Sequence, residues 1–194
     1  MSSSDAPSDA TARFNETALA AVLADAQQLG FLGSRPIREA IQHARSVVGA
    51  LDGVSGRVVD LGAGGGIPGL VVAQARPDLM LTLIDRRTKR TDFLERVVRR
   101  HRLGDRVEVL AEDVERLLDH VATGDKPSFD AAVARGFGPP ERTLRFMVGL
   151  GRVGSRLVIT EPPEGDRWDP LLLEDAGVGR VAGPSGVVVF EVRG

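Results

Sequence analysis

The sequence predicts an α/β protein: a Rossmann-like sheet, mostly parallel with a terminal antiparallel strand, preceded by N-terminal helices. Three observations carry this. After Gly56, short β-rich runs alternate with helical patterns, the order expected of parallel strands joined by crossover helices. The apolar run "RVVDL" leads into "GAGGGIPG" and then an apolar helix, a strand–turn–helix unit. Near the C-terminus, "GRVAGPSGVVVFEV" reads as two short strands around a Gly-Pro-Ser-Gly turn, hence an antiparallel pair.

Residues 1–12 are rich in Ser, Asp, Ala and Pro, can bury little, and read as a disordered tail. Residues 13–194 are expected to form one domain, with a helical prelude over 13–55 and a Rossmann-like core over 56–194. In the prelude, Phe14, Ala18, Leu19, Val22, Leu23, Ala26 and Leu29 recur at helical spacing, and Gly30 marks a stop. Ile37, Ile41, Ala44, Val48 and Leu51 repeat the pattern behind Pro36. The predicted strands are Arg57–Leu61, Leu79–Asp85, Val107–Ala111, Phe129–Ala134, Arg156–Thr160 and Val187–Val192. Helices near Pro68–Ala75, Lys89–Arg102, Val114–Val121 and Glu141–Leu150 fill most of the gaps.

Composition excludes several chemistries. A chain of 194 residues, 42% hydrophobic, supports one domain with a real core. It has no cysteine, which removes disulfides, thiolate metal sites and any cysteine nucleophile. His43, His101 and His120 are scattered without metal-ligand spacing, so no metal is expected. The N-terminus lacks a basic segment followed by an apolar run, and no later stretch reaches membrane-spanning length, which points to a cytoplasmic protein with no membrane partner.

The glycine turn holds the first functional signal. Glycines let the backbone approach a ligand closely, and the N–H groups of a helix start favour an anionic group. Pro68 fits the first helical turn, where a missing N–H costs nothing. Gly64, Gly66 and Gly69 match the dinucleotide pattern G-x-G-x-x-G, with Asp85 where the ribose-binding acid would fall. Asp60, one strand end ahead of the glycines, argues for a different reading. Asp60-x-Gly62-x-Gly64-x-Gly66 resembles motif I of the class I S-adenosylmethionine methyltransferases, whose acid serves the cofactor's amino-acid portion. Asp85 is then placed to accept from both ribose hydroxyls. Glu112, Asp113, Val114 and Glu115 follow the third strand, where this fold contacts adenine; they equally suit a charged helix start.

The acceptor is narrowed by chemistry. The covalent route to pyrimidine C5 methylation needs a cysteine. Exocyclic amines are often served by an Asn/Asp-Pro-Pro-aromatic motif after the fourth strand, where this chain has "ARGFG"; the later "EPP" of Glu161–Pro163 reads as a loop. Guanine N7 would suit the chain, since its in-plane lone pair requires positioning rather than a general base.

Three stretches carry a more specific resemblance. "VVDLGAGGGIPGL", "LIDRRTKRTDFLERV" and "FDAAVARGF" are similar to the bacterial small-subunit (16S) ribosomal RNA guanine-N7 methyltransferase family, also called glucose-inhibited division protein B, and "IQHARSVVGAL" resembles its helix before strand one, at His43. The resemblance covers roughly residues 30 to 160. It implies S-adenosylmethionine as cofactor, ribosomal RNA or the small ribosomal subunit as partner, and cofactor contacts at Gly62, Ile67, Val114, Glu115 and Arg135 beside Asp60, Gly64, Gly66 and Asp85. Arg135 matches the arginine of the family's Ser-Arg-Ala and would lie beside cofactor and target base as the catalytic residue; Lys89 and Arg90 match its Lys-Arg pair and would face RNA. The chain differs from the family at Ala134 and Gly136, and at "TEPPEG" in place of a Lys-Gly after strand five. A divergent methyltransferase of another RNA or a small molecule, and a cofactor-binding relative without turnover, are the alternative readings.

A net charge of −2 gives no global attraction to nucleic acid, but charge is unevenly distributed. Arg86, Arg87, Lys89, Arg90, Arg96, Arg99, Arg100, Arg102 and Arg106 stand against Asp92, Glu95 and Asp105. With Phe93, Leu94, Val97 and Val98 turned to the core, most of these cations would face outward and could meet RNA phosphates, or form a solvated helix face.

Overall fold

The structure, a computed structural model, describes residues 14–161 and 167–194. The expected N-terminal tail, and Pro162 and Pro163 of the expected loop, lie outside the described residues.

Among the described residues two helices come first, α1 (Glu16–Gln28) and α2 (Ile37–Ala50). Helix α1 starts after Phe14 because Asn15 caps it, its Oδ1 accepting from the Ala18 N–H at 2.9 Å. Phe14 precedes the cap and packs against the His101 ring, with centroids 4.9 Å apart. The elements that follow are β1 (Arg57–Leu61), α3 (Gly69–Ala75), β2 (Met80–Ile84), α4 (Thr88–Arg100), β3 (Val107–Leu110), α5 (Val114–Ala122), β4 (Ala131–Ala134) and α6 (Pro140–Leu150). The chain continues with β5 (Arg156–Thr160), α7 (Pro170–Asp175), β6 (Val178–Val181) and β7 (Val187–Val192).

The described strands form one seven-stranded sheet in the order β3-β2-β1-β4-β5-β7-β6. Strands β1 to β5 run parallel, and β7 pairs antiparallel with both β5 and β6. Because β2 and β3 lie on one side of β1 and β4 and β5 on the other, the order reverses between β1 and β4. In an open α/β sheet that reversal leaves a crevice beyond the carboxyl ends of the strands.

Successive strand residues point to opposite faces, and both faces are covered. Val58, Leu81, Leu83, Val107, Ala131 and Val133 pack with α1, α2, α3 and α4. Val59, Leu61, Ile84, Ala132, Leu157 and Phe190 pack with α5, α6 and Trp168. The N-terminal helices therefore share a core with the sheet. Helix α2 touches α3, β5 and β7.

Strand β4 begins two residues later than its apolar pattern predicts. Phe129 is buried but its N–H donates to the Leu150 carbonyl at 2.9 Å, outside the ladder. Helix α7 has no counterpart among the predicted elements. Its six residues are too few for a periodic signal, and it starts on a local cap, Asp169 Oδ1 accepting from the Leu171 N–H at 2.9 Å.

Candidate functional site at the reversal of strand order

The last residues of β1 lead into the glycine turn. Asp60 is buried, and its Oδ2 accepts from the Gly69 N–H at 2.8 Å, tying the strand end to the start of α3. Pro68 sits one position before α3, as its N-terminal cap residue. Gly69 has no room for a side chain: a Cβ there would lie 2.5 Å from Asp60 Oδ2 and run into Leu83. Asp60 is thus part of the turn's foundation, with its other oxygen, Oδ1, buried and without a hydrogen-bond partner. Burial raises its pKa to about 7, opposed by the Gly69 bond and by Arg135, and reinforced by Asp85.

Asp85 follows β2 immediately and is buried. The Arg87 N–H donates to its Oδ1 at 2.9 Å, and the Gly64 N–H donates to its Oδ2 at 3.0 Å. Arg90 Nη1 approaches the same Oδ2 at 3.5 Å. Two backbone donors fix the carboxylate at the ends of β1 and β2, and a carboxylate retains further acceptor positions. The distant Arg90 contact is the weakest of the three.

A cleft opens over these strand ends. It is lined by Gly62, Asp85, Arg87, Arg90 and Phe137, and on its far wall by Glu112, Asp113, Val114, Glu115 and Arg142. Arg142 Nη2 pairs with Glu115 Oε1 at 2.9 Å, bridging the first turns of α5 and α6. The backbone N–H of Glu115 itself and then Arg142 hold that carboxyl below its usual range. The cleft measures about 190 Å³. That is less than the roughly 300 Å³ at which pockets begin to enclose a drug-sized ligand. Phe137 narrows it: a Cβ on Gly62 would come within 3.0 Å of the Phe137 ring, so only glycine leaves space between turn and ring.

The sequence-predicted residues thus fall into several groups. Gly62, Asp85, Val114 and Glu115 line the cleft. Gly64 and Gly66 are buried in the turn, both at positive φ, and Asp60 lies beneath it. Ile67 and Arg135 line a neighbouring cavity, where Arg135 Nε donates to the Ile67 carbonyl at 3.2 Å. Lys89 is exposed on α4. Arg90, expected to face outward with Lys89, is instead directed to Asp85 within the cleft, because its position on α4 points it back at the β2 terminus. Arg106 likewise leaves the basic surface, its Nη2 donating to the Ala73 carbonyl at 2.6 Å. Sequence reasoning missed Arg142, which no local pattern distinguishes. It also passed over Phe137, although that residue stands in the quoted "ARGF".

Fold and cleft together define the class: an open sheet, reversed at β1/β4, with a glycine turn and an acid after β2, is the class I methyltransferase fold. Solved structures with the same fold include the S-adenosylmethionine-dependent methyltransferase SibL in its apo form, at TM-score 0.60 and 19% identity, covering 90% of this chain and 70% of that one. Cofactor-bound Rv0187 from MTB superposes at TM-score 0.60 and 20% identity, over 92% of this chain and 91% of that one. Within the class, the chain belongs to the GidB family, rRNA small subunit methyltransferase G, whose profile matches residues 19–161. Relatives named ribosomal RNA small subunit methyltransferase G include one from Salinispora tropica, 37% identical over 101 residues, 52% of this chain and 42% of that protein. One from Nocardioides sp. is 35% identical over 146 residues, 70% and 56% of the two chains. One from Mycobacterium leprae is 35% identical over 113 residues, 58% and 44%. The chain spans about half the length of these relatives. Among the described residues, no helix is long and apolar enough to cross a membrane, and no group of three or more His, Asp and Glu side chains could hold a metal ion.

Proposed function

We propose that this protein is an S-adenosylmethionine-dependent methyltransferase that modifies N7 of a guanine in small-subunit ribosomal RNA, working in the cytoplasm. The observation that carries the reading is Asp85, fixed by the Arg87 and Gly64 N–H groups at the mouth of the cleft, in a chain of the GidB family. Asp85 would accept from the ribose hydroxyls, Val114 and Glu115 would border the adenine, and Gly62, Gly64 and Gly66 would let the backbone approach closely. Asp60 has one buried oxygen still unpartnered beneath the turn, which suits an ammonium group above it. Ile67 and Arg135 would stand at the reacting end.

When bound, S-adenosylmethionine supplies an electrophilic methyl on a sulfonium. Transfer of that methyl to guanine N7 would draw on the base's in-plane lone pair, with Asp60, Asp85, Val114 and Glu115 holding the cofactor for it. No proton leaves, so the residues need only hold the base in line and exclude water. Arg135, within electrostatic range of Asp60, would keep the reacting end polarised and the base oriented.

The RNA partner is supported by α4. Lys89, Arg96, Arg99 and Arg100 are exposed along the helix, and Arg86 and Arg87 are exposed where the chain enters it from the cleft. Such a row beside the site would neutralise phosphates. The test is transfer of labelled methyl to deproteinised small-subunit particles, with the modified base identified. Labelled 7-methylguanine is the expected product. Label on another base, or none despite cofactor binding measured by calorimetry, would defeat the proposal.

A further inference from the structure

A second cavity, of about 360 Å³, adjoins the cleft. The two meet at one strand end and one turn. Gly136 lines the cleft while its neighbour Arg135 lines the cavity, and on the glycine turn Gly62 lines the cleft while Ile67 lines the cavity. A group carried on the turn is therefore presented to both spaces. The cavity is walled by the α1–α2 loop, whose shape is set by Gln27: its Nε2 donates to the carbonyls of Gly33 at 2.5 Å and Arg35 at 2.9 Å.

The chemistry of its lining is one-sided. Leu32 and Ile67 offer apolar walls, while Arg35, His43 and Arg135, with the small hydroxyl of Ser34, supply polar groups beyond those that shape the loop. Among the described residues, no carboxylate lines it. Burial, then Arg35 and Arg135, lower the His43 pKa, so its ring is neutral at pH 7 and offers one N–H. The β6–β7 turn backs the ring so closely that a Cβ on Gly186 would come within 3.2 Å of His43 Cε1.

We propose that this cavity receives the acceptor nucleotide, taking a guanine edge-on between Leu32 and Ile67, with Arg35, His43 and Arg135 donating to its O6 and phosphate. The assignment rests on the methyltransferase reading above. Guanine presents acceptors, O6 and N7, along that edge, whereas adenine presents an N6 amino donor. A lining with two guanidinium groups and no carboxylate suits the acceptor pair of the first better than the amino group of the second. Arg35, exposed at the rim, suits the anionic phosphate, and donors directed at O6 leave the N7 lone pair free toward the turn.

The test uses the full chain loaded with S-adenosylhomocysteine and titrated with guanosine or adenosine 5′-monophosphate, followed by NMR of the His43 ring. GMP should shift the ring saturably and AMP should bind about tenfold more weakly, the effect of mismatching one hydrogen-bonding group. Arg35→Gln should weaken GMP about tenfold, the scale of a charge-assisted bond, with the S-adenosylhomocysteine Kd unchanged. If Arg35→Gln weakens S-adenosylhomocysteine instead, the cavity holds the cofactor's carboxylate and the assignment falls. A silent His43 in a protein that does make 7-methylguanine overturns the cavity assignment alone. Absence of methyl transfer by the wild-type chain overturns the underlying reading, which the titration does not measure.

Discussion

Asp60→Asn should make the protein's stability less sensitive to pH between 5 and 8. Burial lifts the Asp60 pKa from 3.8 to about 7, against the Gly69 bond and Arg135. A carboxyl whose folded pKa is raised stabilises the fold fully only below its unfolded pKa, and that stability is lost as pH rises toward the folded value. The shift of about three units corresponds to roughly 4 kcal/mol once both states are ionised, at about 1.4 kcal/mol per unit. By pH 5 part of this is already lost, so the wild type should lose about 3 kcal/mol more between pH 5 and 8 through this one group. Asparagine keeps an oxygen for the Gly69 N–H but does not ionise. It places an amide N–H₂ where Oδ1 lacks a partner, a cost of about 1–3 kcal/mol that does not vary with pH. His43 titrates in the same window with the opposite sign: its pKa is lowered, so the fold gains stability as pH rises through the unfolded value. That contribution is present in both proteins and cancels in their difference. The assay is urea unfolding of both proteins at pH 5, 6, 7 and 8. The Asp60→Asn variant should gain on the wild type by about 3 kcal/mol across the series. A difference independent of pH would refute the claim that Asp60 is a buried carboxyl held against its desolvation.

Three further perturbations follow from the geometry. Arg135→Ala removes one long bond to the Ile67 carbonyl, so unfolding free energy should fall by only about 0.5–1.5 kcal/mol while kcat drops roughly tenfold or more; unchanged turnover would remove Arg135 from the reacting end. Gly69→Ala drives a methyl against Asp60 and Leu83, both buried, and should destabilise by about 1–3 kcal/mol in denaturant titrations; a variant as stable as wild type would show that the turn is looser than described. Replacing Arg96, Arg99 and Arg100 by alanine should make the log–log salt dependence of RNA binding shallower by roughly 0.7–0.9 for each phosphate that is no longer neutralised, with secondary structure by circular dichroism unchanged; an unaltered slope would identify the α4 face as merely solvated.

Much of the framework is local and so was readable in the chain. "RVVDL" is β1 to the residue, and "GRVAGPSGVVVFEV" runs from the second residue of β6 to the end of β7, in the antiparallel pairing its turn chemistry implies. The amphipathic order of α4 set Phe93, Leu94, Val97 and Val98 in the core because helical period alone decides which side chains share a face. Asp85 and the glycine turn could be located from spacing, since strand–turn–helix units put such residues at strand ends wherever they occur.

What spacing could not supply was direction across elements. Lys89 and Arg90 are neighbours in sequence, yet one is exposed on α4 and the other turns toward Asp85, because successive helical residues point about 100° apart. Ile67 and Arg135 are 68 residues apart, yet share a hydrogen bond and a cavity with His43 of the helical prelude. Phe137 narrows the cleft through a contact with Gly62 that only the parallel pairing of β1 and β4 creates. The chain alone revealed the alternation of strands and longer helices, the buried faces and the glycine turn, though not the short helix α7, because propensity, period and turn chemistry act over a few residues. Which side chains converge on the two spaces at the β1/β4 reversal is settled in three dimensions, by strand order and by how the prelude packs against the sheet.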